Sequence, residues 1–442
     1  MSFWQSLHDD VFVIGNKRIH HFFSGFILGI GLIVALAVVY FAQNVSNQGQ
    51  NYSQASKAQE NRSSSTAPRI SSYLHTNGTK ISDEKGNEIL LQGVNDQRMI
   101  GGNGKLPQCY TLPTQTQYNN IQSWGFNFVR VAITWANIEP DPPVKNHDGS
   151  YTHTWNETYL SQLDNVINEY QNRAVAVILD MHQVSWYPSP TIPAGKDCPD
   201  GSGMPTWLYY QDNNHDNKND LGPGQNQYPR CDFFTGFTQK GVSIAQQDGF
   251  VAVWQMLTQR YNNYKNVIGS DILNEPNQPS CPAVTTDMVT SFYNKVGEAI
   301  YTIKPKWLLV FARYQDNTTP PPKKAGNWVY TRHIYPTSWG NDGYSDFQQA
   351  LANSKNWNVP LWLGEFNGHN MPSATKTKDT QKMIDYVHNN NMNWSWFQYD
   401  QQSVDALVTG TNEVPQLNLI TSLQAIFGLK PTDTPPVQPG KL

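Results

Sequence analysis

The sequence contains few charged residues and no long run of basic ones. Only 15% of its 442 residues are Asp, Glu, Lys or Arg, and the formal net charge is −4. Proteins that bind nucleic acid usually present a dense basic patch, because that patch must neutralise phosphates. The composition therefore argues against a nucleic-acid partner and favours an uncharged one.

Cysteine is also scarce, and its spacing matches no common zinc site. Cys109, Cys198, Cys231 and Cys281 form no CxxC pair and have no histidines at zinc-binding spacing. We therefore expect neither a metal nor another cofactor. In an oxidising exterior one or two disulfides could form among these residues, and Cys198 with Cys231 is the pairing that we favour.

Long apolar runs are absent except for one near the N-terminus. Residues 22–42 carry no charge and one polar side chain, Ser24, and about 20 apolar residues span a bilayer. Lys17 and Arg18 precede this run, so the positive-inside rule places residues 1–21 in the cytoplasm. We expect a single-pass cell-membrane protein whose remainder lies outside the cell. The alternative is a cleaved signal peptide and a secreted protein.

The rest of the chain divides into a linker, one large domain and a short tail. Residues 43–71 are rich in Ser, Asn and Gln without apolar periodicity, which is typical of a flexible linker. Residues 72–429 have the length of one barrel domain enlarged by insertions. Residues 430–442 form a Pro-rich tail, to which we assign no function.

Within the large domain, short apolar β-branched runs alternate with amphipathic helical segments. Strands are predicted at Ile89–Val94, Phe128–Ile133, Ala174–Asp180, Val267–Leu273, Leu308–Phe311, Trp328–His333, Leu361–Glu365 and Asn393–Phe397. Helices are predicted at Tyr159–Tyr170, Phe250–Tyr261, Asp287–Ile303 and Asp379–Asn390, among others. This alternation predicts an α/β fold, the (β/α)₈ TIM barrel, with a long insertion after the third strand.

Polar side chains follow the predicted strands at the end where TIM barrels carry their active sites. Glu275 follows the fourth strand and Glu365 ends the seventh. Retaining hydrolysis of a glycosidic bond needs one carboxylic acid and one carboxylate, about 5–5.5 Å apart. We therefore predict that these two glutamates are catalytic. The other candidate site residues are Arg130, His182, Asn274, His333, Tyr335 and Trp396.

Seven motifs in this order resemble glycoside hydrolase family 5, the cellulase-type family of (β/α)₈ glycosidases. They are GNEILLQGVN, GFNFVRV, VILDMH, ILNEP, RHIYP, WLGEF and WSWF. The resemblance implies that Glu275 is the acid/base and Glu365 the nucleophile. It also implies that Asn274 binds the sugar 2-hydroxyl.

The same resemblance assigns roles to the surrounding side chains. By it, His182 and His333 bind sugar hydroxyls or orient the glutamates, and Trp396 floors the subsite of the cleaved sugar. Because an acid must be protonated when the substrate arrives, we expect a raised pKa for Glu275. We expect Glu365 to stay ionised beside Arg130 and Tyr335.

The sequence is compatible with several substrates. An endo-β-1,4-glucanase that acts on extracellular β-linked polysaccharide is the leading interpretation. The motifs WANIEP, DMHQ and GMPTW also resemble endoglycoceramidases and related β-glucosidases, and β-mannanases and β-1,3-glucanases share the scaffold. A non-catalytic carbohydrate-binding surface protein or a surface scaffold are the alternatives outside enzymes. The sequence leaves the oligomeric state open.

Overall fold

The structure is a computed structural model in which two compact units are distinguished, residues 1–64 and 65–442. It describes residues 13–14, 17–18, 69–70, 73–100, 110–183, 203–208, 229–236, 244–276, 283–312, 321–322, 325–335, 344–368, 376–400 and 405–427. In these ranges no helix is both long and apolar enough to cross a bilayer. The predicted span 22–42 lies outside them.

In the first unit, strands β1 (Val13–Ile14) and β2 (Lys17–Arg18) form an antiparallel pair. The second unit contains a closed eight-stranded parallel barrel. The strands of the whole second unit, in chain order, are β3 Leu74–Asn77, β4 Lys80–Asp83, β5 Gln92–Asp96, β6 Phe128–Ile133, β7 Val144–Lys145, β8 Tyr151–Thr152, β9 Ala176–Met181, β10 Val267–Asp271, β11 Leu308–Ala312, β12 Asn327–Ile334, β13 Leu361–Phe366, β14 Asn393–Trp396, β15 Val408–Thr409 and β16 Val414–Pro415. The barrel order is β5-β6-β9-β10-β11-β12-β13-β14, and β14 pairs with β5 to close it. The predicted TIM-barrel architecture is confirmed.

Helices follow the barrel strands and cover the outside of the barrel. They are α1 Gln115–Trp124, α2 Trp135–Ile138, α3 Glu157–Asn172, α4 Pro229–Thr235, α5 Gln246–Arg260, α6 Thr286–Ile303, α7 Tyr344–Trp357, α8 Lys376–Asn389 and α9 Leu417–Gln424. Sequence signals explain their ends: the Thr114 side chain accepts a hydrogen bond from Gln117 N at the start of α1, and Gly125 ends that helix with a left-handed φ of 92°.

The barrel strands are apolar because both of their faces are covered. Every residue of β6, β9 and β13 is buried, as expected for parallel strands that lie between a barrel interior and helices. The predicted first strand, Ile89–Val94, lies about three residues too early. Leu91 N instead binds the Asn393 side chain at 2.9 Å, below the start of β5.

The β3–β4 hairpin closes the end of the barrel where the strands begin. Leu74 and Ile81 of the hairpin pack in one cluster with Phe128, Ala176 and Leu308, each the first residue of its barrel strand. The opposite end, where the strands finish, is therefore the end that carries the polar candidate residues.

A close contact between α6 and β12 provides a test of this packing. A Cβ on Gly297 would lie 2.2 Å from the Trp328 ring. Helix propensity alone predicts that Gly297→Ala stabilises the protein by about 1 kcal/mol. We expect the overpacking to dominate, so that urea titration shows a loss of about 1–3 kcal/mol in the free energy of unfolding.

The matched control is Ser291→Ala, because Ser291 is exposed on the same helix. It should change the free energy of unfolding by less than about 0.5 kcal/mol. A stabilising Gly297→Ala substitution would contradict the close approach of α6 to Trp328.

Candidate active site

Arg130 lies on β6 and is buried at the polar end of the barrel, with 1% of its surface exposed. Its guanidinium lies 2.7–3.0 Å from side-chain oxygens of Asn95, Asp180, Asp271, Asn274 and Glu365. These partners come from β5, β9, β10, the loop after β10, and β13. One side chain therefore joins five segments of the barrel wall.

Three carboxylates keep this buried guanidinium charged. Burial alone would lower the pKa of Arg130, but Asp180, Asp271 and Glu365 together raise it above its usual value. Burial in turn raises the pKa of Asp271, even though Arg130 opposes that shift. The charge of each of these groups therefore influences the protonation of its neighbours.

Glu365 is held as a hydrogen-bond acceptor at the end of β13. Its Oε1 accepts from Arg130 NH1 at 2.7 Å, and its Oε2 accepts a short hydrogen bond from the Tyr335 hydroxyl. Burial and the Glu365 charge raise the pKa of Tyr335 well above its ordinary value. Tyr335 therefore stays protonated and donates to the carboxylate.

Glu275 lies in the loop that follows β10 and faces the same space. The predicted strand ran to Leu273, but β10 ends at Asp271. The backbone of Glu275 adopts a left-handed φ of 38°, unusual for a residue other than glycine. Its Oε1 lies 2.8 Å from His333 Nδ1, so a loop conformation rather than a strand end directs this carboxylate.

His333 lies between the two glutamates. His333 on β12 is the register partner of Glu365 on the adjacent strand β13. Its Nδ1 lies 3.5 Å from Glu365 Oε2. Gly364 leaves room for the ring, because a Cβ there would lie 2.9 Å from His333 Nε2. The imidazole therefore contacts both carboxylates from one nitrogen.

The expected raised pKa of Glu275 is wrong for this resting arrangement. Burial pushes the pKa of Glu275 upward, but the hydrogen bond from His333 and the charges of His333, His182 and Arg130 outweigh it. The net pKa of Glu275 lies below its usual value. Burial lowers the pKa of His333, whereas Glu365 and Glu275 raise it above 6.5 overall. The proton of the pair therefore lies on the imidazole.

The two glutamates are close enough to act on one bond. One oxygen of Glu275, one of Glu365 and a nitrogen of His333 lie within 4.8 Å of one another. This spacing would also suit a metal ion, and these three are the one such group among the described residues. Two carboxylate oxygens this close are compatible with the 5–5.5 Å that separates the carboxyl groups of retaining glycosidases.

Asn274 and His182 lie beside this pair, as the sequence predicts. Asn274 Oδ1 accepts from Arg130 NH2 at 2.9 Å, and its Nδ2 donates to Gln183 O at 2.8 Å. His182 Nδ1 lies 2.7 Å from Asp180 Oδ2. Since that bond fixes the ring, the other nitrogen of His182 points towards Gln97 at 3.4 Å.

Trp396 does not agree with its expected role as a sugar platform. It is fully buried, its Nε1 donates to Asp405 O at 2.8 Å, and its ring packs on Phe366 at 5.1 Å. No face of the indole is left for a ligand. The next residue, Phe397, is half-buried, and its ring meets Tyr335 edge to face at 5.7 Å. Phe397, the first residue beyond β14, therefore lies at the site, whereas Trp396 does not.

Sequence reasoning missed four residues that hold the predicted ones in place. These are Asn95, Asp180, Asp271 and Gln183, and each has at most 1% of its surface exposed. The same pattern that predicted the glutamates could have predicted them, since each is a polar residue near or just beyond the end of an apolar strand. The sequence does not reveal that Asn95, Asp180 and Asp271 all contact Arg130. It also does not reveal that Gln183 contacts the loop that carries Glu275.

The predicted cysteine pairing lies partly outside the described residues. Cys231, on α4, is disulfide-bonded. The other three cysteines are not described, so Cys198 as its partner stays a prediction.

Comparison with known proteins identifies relatives over most of the chain. The family model described as cellulase (glycosyl hydrolase family 5) matches residues 82–403. An endoglucanase from Paenibacillus polymyxa is 22% identical over 77% of this chain and 83% of its own length. The major extracellular endoglucanase of Xanthomonas campestris pv. campestris is 24% identical over 82% of this chain and 73% of its own.

Solved structures with the same fold include glycolipid-cleaving enzymes. An endogalactoceramidase superposes with a TM-score of 0.61 at 20% identity, covering 80% of this chain and 84% of its own. Endo-glycoceramidase II from Rhodococcus sp. gives 0.59 at 20% identity, covering 80% of each chain. At this identity the likeness concerns the fold.

The contact between His333 and Glu275 predicts a coupled titration. Because Glu275 and Glu365 raise the pKa of His333, the imidazole should keep its proton at pH 6.5 and lose it at higher pH. Glu275→Gln removes one of these charges and should lower the His333 pKa. NMR titration of labelled histidine, assigned through a His333 variant, measures this shift.

Glu413→Gln is the control, because Glu413 pairs with Arg98 and contacts neither His333 nor the two glutamates. It should leave the His333 pKa unchanged. An unaltered His333 pKa in Glu275→Gln would contradict the contact.

Proposed function

Because the chain belongs to glycosyl hydrolase family 5 and is a glycosidase that hydrolyses O-glycosyl compounds, we propose that it retains anomeric configuration. In this proposal Glu365 attacks the anomeric carbon, and Glu275 first protonates the leaving oxygen and later activates water. The observation that carries it is the approach of the Glu275 and Glu365 oxygens within 4.8 Å.

The surroundings of Glu365 suit a nucleophile. Arg130 and Tyr335 each donate to a different carboxylate oxygen, so the carboxyl group is held in one orientation. In the first step an electron pair of Glu365 forms a bond to the anomeric carbon, and the glycosidic bond breaks. The departing oxygen takes the proton that Glu275 supplies.

The proton for this step is available on His333. In the resting site it lies on the imidazole, 2.8 Å from Glu275 Oε1. A leaving-group oxygen that approaches Glu275 offers a new acceptor, and the proton can pass from His333 through the carboxyl group to it. Once Glu365 is esterified, its negative charge is lost and no longer raises the His333 pKa. Glu275 is then ionised and acts as the base towards water.

Three further side chains suit contact with the sugar. Asn274 retains one Nδ2 hydrogen beyond its bond to Gln183, and this hydrogen is suited to the 2-hydroxyl. His182 follows β9 directly, and its Nε2 lies 3.4 Å from Gln97 Nε2, which leaves it close to a polar partner that a sugar hydroxyl could replace. Phe397, half-buried beside Tyr335, takes the stacking role that was expected of Trp396.

For the substrate, we propose an extracellular β-1,4-glucan cleaved internally. The support is that two endoglucanases align over 77% and 82% of this chain. An endoglycoceramidase-like activity is the second candidate, because the motifs WANIEP, DMHQ and GMPTW resemble enzymes of that kind. A purely carbohydrate-binding role is disfavoured, because both glutamates and their supporting contacts are present.

The N-terminal membrane anchor and extracellular location also stay proposals. Their support is the apolar run at residues 22–42 and the basic residues Lys17 and Arg18 that precede it.

Substitution of the two glutamates tests the chemistry. Glu275→Ala should lower turnover about 10²–10⁴-fold, the usual contribution of general acid–base catalysis. Glu365→Ala should lower it further, because no glycosyl-enzyme can form. Release of reducing sugar measures the turnover.

Glu84→Ala serves as control, since Glu84 pairs with Lys306 at the closed end of the barrel. It should keep wild-type turnover. Near wild-type turnover in either catalytic variant, with circular dichroism unchanged, would contradict the assignment.

Substrate profiling tests the choice of polymer. The purified barrel domain is assayed on carboxymethylcellulose, mannan, laminarin and a glycosphingolipid. We expect the highest kcat/KM on carboxymethylcellulose, with viscosity falling before much reducing sugar appears, as internal cleavage requires. A preference for the glycosphingolipid would replace the glucanase proposal with the glycoceramidase one.

A further inference from the structure

The backbone at Glu275 is held in a conformation that its sequence does not favour. Its φ of 38° is in the left-handed region, which carries a steric penalty for any residue with a Cβ. Pro276 follows and restricts Glu275 further. Surrounding contacts must therefore maintain this conformation, because it is what directs the carboxyl group towards His333.

Gln183 supplies the contacts that fit this need. Its side-chain Nε2 donates to Asn274 O at 2.5 Å and to Glu275 O at 3.0 Å. In the opposite direction, Asn274 Nδ2 donates to Gln183 O at 2.8 Å. Gln183 is 1% exposed. One amide group thus holds two successive backbone carbonyls, those of Asn274 and Glu275. These carbonyls flank the nitrogen and α-carbon of Glu275.

The chemistry of the amide makes the residue hard to replace. Its NH₂ group has two hydrogens, one for each carbonyl. If the Gln183 amide were flipped, its Oε1 would face the same two carbonyl oxygens, and all three are acceptors. The contacts therefore fix the orientation of the amide. A methionine fills a similar volume without a donor, which would leave both carbonyls without this partner.

The segment that returns from the long insertion packs against Gln183 from behind. A Cβ on Gly203 would lie 1.9 Å from His182 O and 2.9 Å from Gln183 Cα. Gly203 O accepts from Ala136 N at 3.0 Å, and Trp207 Nε1 donates to Glu139 O at 3.0 Å. These bonds hold residues 203–208 against α2 and the residue that follows it, leaving the backbone at Gln183 little room to move.

We propose that Gln183 is a positioning residue for Glu275, fixing the left-handed turn that aims its carboxyl group, with Gly203 as the close-packed support behind it. The inference rests on the proposed acid/base role of Glu275. Arg130 and Tyr335 hold Glu365 through separate bonds. Loss of the Gln183 amide should therefore impair proton donation while nucleophilic attack continues.

The test uses leaving groups that differ in their need for a proton. Two aryl β-glycosides are made of the disaccharide that the wild type releases fastest, whether cellobiose, mannobiose or lactose. The 2,4-dinitrophenolate leaves without protonation, whereas phenolate requires it. For Gln183→Met, kcat/KM on the phenyl glycoside should fall about 100-fold, the effect of a catalytic group misplaced by about 1 Å. On the dinitrophenyl glycoside it should stay close to wild type.

Gln117→Met is the matched control. Gln117 is fully buried on α1, and its Nε2 donates to Tyr170 OH at 3.2 Å. Its substitution removes the same chemical group from a site that contacts neither catalytic glutamate. It should leave the ratio of the two kcat/KM values unchanged. Equal losses on both substrates in Gln183→Met, or no loss on either, would overturn the inference.

Two further variants make the outcomes distinguishable. If Gln183→Met does not fold, Gly203→Ala takes its place, because it displaces the Gln183 backbone and leaves its side chain intact. The same selective loss is expected, and an unselective loss contradicts the inference. Glu275→Ala is measured in parallel. If it lacks the selectivity, the acid/base role itself fails; if it has the selectivity and Gln183→Met does not, only the inference fails.

Discussion

The active site depends on one buried guanidinium. Arg130 contacts side chains from five segments of the barrel wall, and three of its partners are carboxylates. In a low-dielectric interior these charges are tolerated only because they neutralise one another. The orientations of Asn274 and Glu365 both follow from this arrangement. Removing the guanidinium would leave several buried carboxylates without their shared cation.

A second constraint is the single proton held between His333 and Glu275. The two groups lie 2.8 Å apart, so the charge of each one changes the proton affinity of the other. The proton lies on the imidazole at rest, where Glu365 also stabilises it. In the proposed mechanism, esterification of Glu365 removes its charge and alters that balance. Under this proposal, the two halves of the reaction need no further group.

The barrel could be predicted from the sequence because apolar runs mark its strands. The positions of the two glutamates near strand ends also follow from local patterns, since Glu365 is the residue before the last of β13, whereas their catalytic roles stay proposals. Finer assignments failed where they depended on distant contacts. The pKa of Glu275 is set by a histidine 58 residues away. The choice of Trp396 over Phe397 failed by one residue, which on a strand moves a side chain to the opposite face.

The stereochemistry of hydrolysis tests the central claim most directly. Proton NMR during the first turnovers of a β-linked oligosaccharide identifies the anomer that is released before mutarotation. Double displacement through Glu365 predicts that the β-anomer appears first. Initial release of the α-anomer would mean direct attack by water, and would contradict the nucleophilic role of Glu365.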